Sequence, residues 1–217
     1  MRDAVKKSGG SEAQGCHGSA FSAICLVVST RALQIFLSIT PALFFAALPA
    51  RGTLSTGNRY SINFVDLDGN KLSTADGHMT IVVLTTAADR EQARAVGDHV
   101  PDFCLGNPAY RMITVVHFTG RHMEIGRRVA MAFVRHRIGE AAKRLQTRYD
   151  GLKISRDARN DIFVVTDFDG AVASELGEPA GATDFCVFVF GQKGELLAQW
   201  HTVPSMDELA AVLKKSD

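Results

Sequence analysis

Two cysteines, Cys104 and Cys186, have the side chains in the main part of this chain best suited to nucleophilic or redox chemistry. A thiolate attacks disulfides and peroxides, and two neighbouring thiols form a disulfide in an oxidising compartment. Cys186 lies within an apolar run, a pattern typical of a packed thiol. Both residues remain catalytic candidates, and the sequence leaves a disulfide and two separately packed thiols as alternatives.

A second candidate chemistry lies in residues 162–172 (IFVVTDFDGAV), where two carboxylates follow an apolar run. This segment resembles the first motif of haloacid-dehalogenase-type phosphatases, which implies Asp167 as nucleophile and Asp169 as general acid or base, with Mg²⁺ between them. Only 47 residues follow Gly170, too few for that family's further strands. A second DxDG occurs at residues 66–69. Because Asp-Gly after a strand usually forms a turn, we expect turns at both places.

The histidines give little sign of a metal centre. His117 and His122 are five residues apart, which does not place them on one helix face, and no Cys/His cluster has metal-ligand spacing. His117 lies in an apolar run and is expected to be a core residue with a satisfied side chain. The sequence therefore predicts neither a metal site nor a cofactor.

Local charge is concentrated in residues 121–148, which hold two acids, Glu124 and Glu140, and eight basic residues: Arg121, Arg127, Arg128, Arg135, Arg137, Lys143, Arg144 and Arg148. Such a run is typical of the solvated face of a long helix. The alternative is a dock for an acidic partner, lipid head groups or a nucleic acid.

The overall composition is that of an ordinary globular protein. The 217 residues are 46% apolar and carry 24 basic against 23 acidic side chains, for a net charge of +1. The apolar fraction excludes a disordered chain, and four cysteines are too few for a disulfide scaffold. A net charge near zero argues against nucleic-acid binding, so no nucleic-acid partner is expected.

The first 50 residues differ from the rest of the chain. Residues 32–50 carry no charge, follow Arg31 and end in small residues around Pro49. These features predict a signal peptide or an N-terminal membrane anchor at residues 1–50, and a mature domain at residues 51–217. We therefore expect a periplasmic or otherwise exported protein, with residues 32–50 as a possible membrane tether.

Residues 51–217 alternate between predicted strands and helices. An extended segment with a turn is expected at 61–73, strands at 80–86, 112–118, 162–166, 185–190 and 196–201, and helices at 89–100, 123–149, 171–176 and 205–214. Strands separated by helices imply a parallel sheet, and the final hairpin adds an antiparallel edge.

This order of elements resembles the thioredoxin fold in its larger form, found in peroxiredoxins and exported thiol-disulfide oxidoreductases, over residues 60–215. The resemblance lies in a DLDGNKLS opening, a buried strand followed by a helix, a DFDGAVASELG segment, and the ending VFVFGQKGELLAQWHTVPSMDELAAVL. It implies an α/β, three-layer fold with a central mixed sheet flanked by helices.

In redox-active relatives, a CxxC pair or a single reactive cysteine lies where the first buried strand meets its helix. Here Asp89, Arg90, Glu91 and Gln92 take the positions of the CxxC motif. The family's cis-proline also has no counterpart, because no proline lies between Pro179 and Pro204. The resemblance therefore implies a non-catalytic binding or structural module for a protein or small-molecule partner. The alternatives are an oxidoreductase using Cys104 or Cys186, and the phosphatase described above.

Overall fold

The computed structural model describes residues 53–118, 124–178 and 185–215. All of them belong to one compact unit, Ala47–Asp217. The predicted signal peptide or anchor at residues 1–50 lies outside the described residues. Within the described ranges, every helix is too short or too polar to cross a membrane.

Seven strands and four helices make up the described part of the chain. The strands are β1 (Asn63–Val65), β2 (Lys71–Ser73), β3 (Met79–Thr85), β4 (Tyr110–His117), β5 (Phe163–Asp167), β6 (Cys186–Phe190) and β7 (Leu196–Trp200). The helices are α1 (Arg90–His99), α2 (Glu124–Gly151), α3 (Ala171–Glu175) and α4 (Met206–Lys214), with short 3₁₀ helices at Asp102–Cys104 and Ala158–Asp161. The predicted helices and strands are confirmed, with ends shifted by two residues or fewer.

The central sheet has the strand order β5-β4-β3-β6-β7. β3, β4 and β5 run parallel, whereas β6 is antiparallel to both β3 and β7. β1 and β2 form a separate antiparallel hairpin. This mixed five-stranded sheet flanked by helices is the thioredoxin-like arrangement that the order of elements predicts.

Alternating side chains of the buried strands divide the core into two layers. Ile81 and Val83 of β3 pack with the buried residues of α1 and α4, and α2 packs on Val116 and Val164 of the same side, which we call the helix face. Val82 and Leu84 point the other way, toward the β1–β2 hairpin and α3, on what we call the hairpin face. Both faces of the central sheet are covered by other elements, and strands in such sheets are continuous runs of apolar, β-branched residues.

The two cysteines lie in different layers. Cys104 belongs to the core of the helix face and is 6% exposed, whereas Cys186 belongs to the core of the hairpin face and is fully buried. Because the sheet separates them, they do not form a disulfide with each other. The sequence left a disulfide and two separately packed thiols as alternatives, and the structure shows two separately packed thiols.

Candidate functional site

The junction between β3 and α1 is where redox-active relatives of this fold carry their nucleophile. Thr86 Oγ1 donates a 2.6 Å hydrogen bond to Asp89 Oδ2 and accepts one of 3.2 Å from the Ala88 amide. The Asp89 carbonyl in turn accepts hydrogen bonds from the amides of Gln92 and Ala93. A threonine and an aspartate thus organise the turn into α1, and no thiol is among its residues.

This junction opens into a groove of about 470 Å³ on the helix face, between α1 and α2. Its floor is formed by β3 and β4 through Ile81, Met112, Thr114 and Val116. The α2 wall adds further apolar side chains: Phe133, Val134, Ile138, Ala141 and Leu145. The period-two alternation of β4 produces this floor, because every second residue of that strand faces α2.

Charged residues surround the apolar floor of the groove. Six arginines and four carboxylates line it: Arg90, Arg94, Arg111, Arg137, Arg144, Arg148, Glu91, Asp98, Glu140 and Asp161. Several of these charges are already paired. The Arg111 guanidinium donates to Asp76 on the hairpin face, so its charge does not face the groove. Arg94 lies 3.6 Å from carboxylate oxygens of both Glu91 and Asp98. Arg137 donates a 2.7 Å hydrogen bond to Glu140, which lowers the pKa of that carboxyl.

Two arginines on opposite walls are more available to a ligand. Arg90, at the start of α1, has a side chain that is 56% exposed and lies 3.5 Å from Glu91. Arg144, on α2, is exposed, and it forms no ion pair within 4.0 Å with any residue that the structure describes. It lies near enough to Glu140 to contribute to the lowered pKa of that group.

Hydrogen bonds from α2 close the far end of the groove. Arg148 donates to the carbonyls of Gly97 and Val100, which joins α2 to the end of α1. The Tyr149 hydroxyl donates to Asp161 over 2.7 Å and accepts from the Gly106 amide over 3.0 Å. Burial and the neighbouring carboxylate raise the pKa of Tyr149 to about 12. Cys104 lines the same end.

Residues 121–148 contain eight basic residues, and three of them line this groove: Arg137, Arg144 and Arg148. Four others, Arg127, Arg128, Arg135 and Lys143, are exposed on the rest of α2, and Arg121 lies outside the described residues. The solvated-face interpretation therefore fits only part of the run. The sequence indicated the charge but not the groove, since the groove depends on how α2 lies across β4.

The carboxyl edge of the sheet holds a second polar pair, on the hairpin face. His117 Nδ1 lies 3.1 Å from Asp167 Oδ2, with 7% and 0% of the side chains exposed. The Asp167 carboxylate also accepts hydrogen bonds from the Ala173 and Val172 amides, over 3.0 and 3.4 Å. The prediction that His117 is a satisfied core residue is confirmed.

Both DxDG segments form turns. Gly170 has φ 75° and precedes α3, while exposed Asp169 accepts from the Ala171 amide, which lowers the pKa of Asp169. In the other segment, Asp66 Oδ1 accepts from the amides of Asp68 and Asn70. The Asp167 carboxylate is buried and binds the first amides of α3, so a phosphate ester cannot reach it. This geometry argues against the phosphatase alternative.

No protein-family model matches the chain, and no curated protein matches it. Solved structures of low sequence identity do match. The pneumococcal exposed lipoprotein thioredoxin of Streptococcus pneumoniae is 13% identical, with 72% of this chain and 99% of that chain covered and a TM-score of 0.44. The thioredoxin domain of a Bacteroides vulgatus thiol-disulfide oxidoreductase is 15% identical, covering 76% and 100%, with a TM-score of 0.45. A secreted Mycobacterium tuberculosis disulfide oxidoreductase is 11% identical, covering 71% and 95%, with a TM-score of 0.40. The domain has a thioredoxin-like fold, as its strand order and connections establish.

Proposed function

We propose that this chain is an exported, non-catalytic binding module whose groove takes a small molecule with an apolar body and an anionic group. The observation that carries the proposal is the groove itself, which begins at the thiol-less β3–α1 junction and combines an apolar floor with arginines on both walls. Export rests on the uncharged segment at residues 32–50.

The size of the groove suits a small ligand. Small-molecule sites commonly measure about 300–1,000 Å³ and are lined mainly by apolar groups, with a few polar groups that fix orientation. A volume of about 470 Å³ lies within that range. Burying an apolar ligand body on Met112, Val116 and Leu145 would supply binding energy at about 25 cal/mol per Å².

The charge of the groove favours an anion. With Arg111 set aside, because its guanidinium pairs with Asp76 on the hairpin face, five arginines against four carboxylates line the groove. The start of α1 adds the partial positive charge of a helix N-terminus. Arg90 and Arg144 approach from different helices, so one anionic group can receive charge-assisted hydrogen bonds from either wall. A cationic ligand would instead face an excess of like charge.

Binding rather than catalysis is supported by the state of the thiols. Reactive cysteines lie in partly exposed, electropositive surroundings. Cys104 and Cys186 are both buried, and neither lies at the start of α1. If the protein were instead an oxidoreductase, Cys104, which lines the groove, would be the reactive residue. That alternative predicts that the protein consumes peroxide and that Cys104→Ser abolishes this activity.

The direct test is ligand binding by the purified protein. We expect decanoate to displace the fluorescent anion 1-anilinonaphthalene-8-sulfonate from the groove, and the uncharged 1-decanol to do so far more weakly. Arg90→Gln and Arg144→Gln should each weaken decanoate binding about tenfold, the effect of losing one charge-assisted hydrogen bond.

Arg135→Gln is the matched control, because Arg135 is exposed on α2 and does not line the groove. This variant should bind decanoate like the unaltered protein. Equal binding of decanoate and 1-decanol, or equal losses in all three arginine variants, would contradict the proposal.

A further inference from the structure

Three potential metal ligands from separate parts of the chain converge on the hairpin face, away from the groove. Glu178, Cys186 and His201 each place a ligand atom within 4.8 Å of the other two. Their donors are a carboxylate oxygen, a thiol sulfur and an imidazole nitrogen. No local motif indicates this cluster, because its members are 8 and 15 residues apart along the chain.

The pairing of β6 with β7 brings the cysteine and the histidine together. Val187 is paired with Trp200, and Phe188 with Gln199. Carried one residue further, this antiparallel register places Cys186 opposite His201, with both side chains on the same face of the sheet. Neighbouring pairs of this kind lie about 5 Å apart between Cβ atoms, within reach of a shared ion.

The end of α3 positions the glutamate. The Glu178 amide donates to the Ala173 carbonyl over 3.0 Å, and the Gly177 amide donates to the Ser174 carbonyl over 3.2 Å. Gly177 has φ 81°, which completes a glycine-dependent helix C-cap. Leu176 anchors this cap in the same hydrophobic core that contains Cys186. The backbone at Glu178 is therefore held beside the thiol.

We propose that Glu178, Cys186 and His201 bind a divalent transition-metal ion of the zinc class. Sulfur and imidazole ligands select zinc-like ions over Mg²⁺ and Ca²⁺, which require oxygen ligands. Ligand atoms around tetrahedral Zn²⁺ are about 3.5 Å apart, so small side-chain rotations close the observed cluster around an ion. Three protein ligands leave a fourth position for water.

The surroundings of the cluster suit an ion that enters from solvent. His201 is exposed and Glu178 is half-buried, whereas Cys186 is fully buried and forms the inner wall. The Gln199 side-chain amide lies 3.5 Å from both Cys186 Sγ and His201 Nε2. It can therefore donate a hydrogen bond to the metal-bound sulfur, as outer-shell residues do in metal sites.

The experiment is a titration of the chelator-treated full chain with Co²⁺, a spectroscopic substitute for Zn²⁺. We expect one equivalent of Co²⁺ to produce a thiolate-to-cobalt charge-transfer band, and one equivalent of Zn²⁺ to abolish it. Cys186→Ser should remove the band. His201→Ala and Glu178→Gln should each weaken Co²⁺ binding at least about tenfold, because each removes one of three ligands.

Cys104→Ser is the matched control, since Cys104 is the buried cysteine on the opposite face of the sheet and should leave the band unchanged. Glu178 is half-buried and His201 is exposed, so Glu178→Gln and His201→Ala disturb the core less and test the site even if Cys186→Ser fails to fold. The proposal is overturned by the absence of a band at stoichiometric Co²⁺, or by a band that persists in the Glu178 and His201 variants with unchanged affinity.

Discussion

His117 and Asp167 are direct partners across adjacent parallel strands, and their side chains meet in a buried contact of 3.1 Å between Nδ1 and Oδ2. The same carboxylate receives two amides of α3. One side chain thus joins β4, β5 and α3 at the carboxyl edge of the sheet. This multiple attachment makes Asp167 a structural residue.

Replacing Asp167 by alanine should destabilise the domain by about 3 kcal/mol, because it leaves a buried imidazole and two helix amides without their acceptor. Urea unfolding followed by circular dichroism measures the change. Asp169→Ala is the control, and it should cost less than about 1 kcal/mol because Asp169 is exposed. Equal losses in the two variants would refute the structural role of the buried carboxylate.

Asp76 should make stability depend on pH in the acid range. Burial raises the pKa of Asp76, but hydrogen bonds from Arg111 and His78 outweigh it and lower the pKa from 3.8 to about 2. A depressed pKa stabilises the fold above the unfolded-state value, so stability should be lost as pH falls from about 4 to 2. Because Asp76 is exposed, solvent screening should keep this loss to about 1 kcal/mol.

Urea unfolding at pH 5 and at pH 2.5 tests this expectation. The difference between the two pH values should be smaller in Asp76→Asn than in the unaltered protein, whereas Asp98→Asn, in an exposed pair with Arg94, should leave it nearly unchanged. The prediction for Asp76 is wrong if Asp76→Asn shows the same loss of stability between pH 5 and pH 2.5 as the unaltered protein.

Two glycines with similar backbone angles should respond differently to substitution. Gly57 has φ +89° with nothing within 4 Å of an added Cβ, so Gly57→Ala should cost about 1 kcal/mol of backbone strain. At Gly194, with φ +80°, an added Cβ would meet the Tyr60 carbonyl oxygen at a distance that real atoms do not adopt. Gly194→Ala should therefore cost at least about 2 kcal/mol more. Thermal unfolding of the pair compares them, and equal melting temperatures would contradict this packing.

Tyr149→Phe should loosen the far end of the groove. The substitution removes the donor to Asp161 and the acceptor for the Gly106 amide, at a cost of about 1–2 kcal/mol. Tyr60→Phe, at an exposed hydrogen bond with the Ser55 amide, is the control and should cost less than about 0.5 kcal/mol. Chemical denaturation distinguishes the two, and a larger loss for Tyr60→Phe would be the contrary result.

The helices and strands were predictable because their signals are local. The run Thr80–Thr86 has the β-branched composition of a strand buried on both faces. Ser205 begins α4 with a complete capping box, in which Ser205 and Glu208 bind each other's backbone amides. Signals of this kind depend on residues within a few positions of one another, so the sequence contains them.

The sites were harder to predict because they depend on register and on helix direction. The sequence predicts a satisfied His117 but no partner for it, and it predicts a turn at Asp167, with a nucleophile as the alternative. The carboxyl ends of the parallel strands β4 and β5 lie at the same edge of the sheet, and this rule alone predicts that His117 and Asp167 lie close together. The meeting of Cys186 with His201 depends on the β6–β7 register, which no local pattern in the sequence determines.

The position of β3 at the centre of the sheet determines how its backbone amides exchange with solvent. Its backbone pairs with β4 on one side and with β6 on the other, and all seven of its side chains are buried. Its amide protons can therefore reach solvent only when the domain unfolds as a whole. In a hydrogen-exchange experiment these amides would report the global free energy of unfolding, while exposed segments of α2 would exchange through smaller openings.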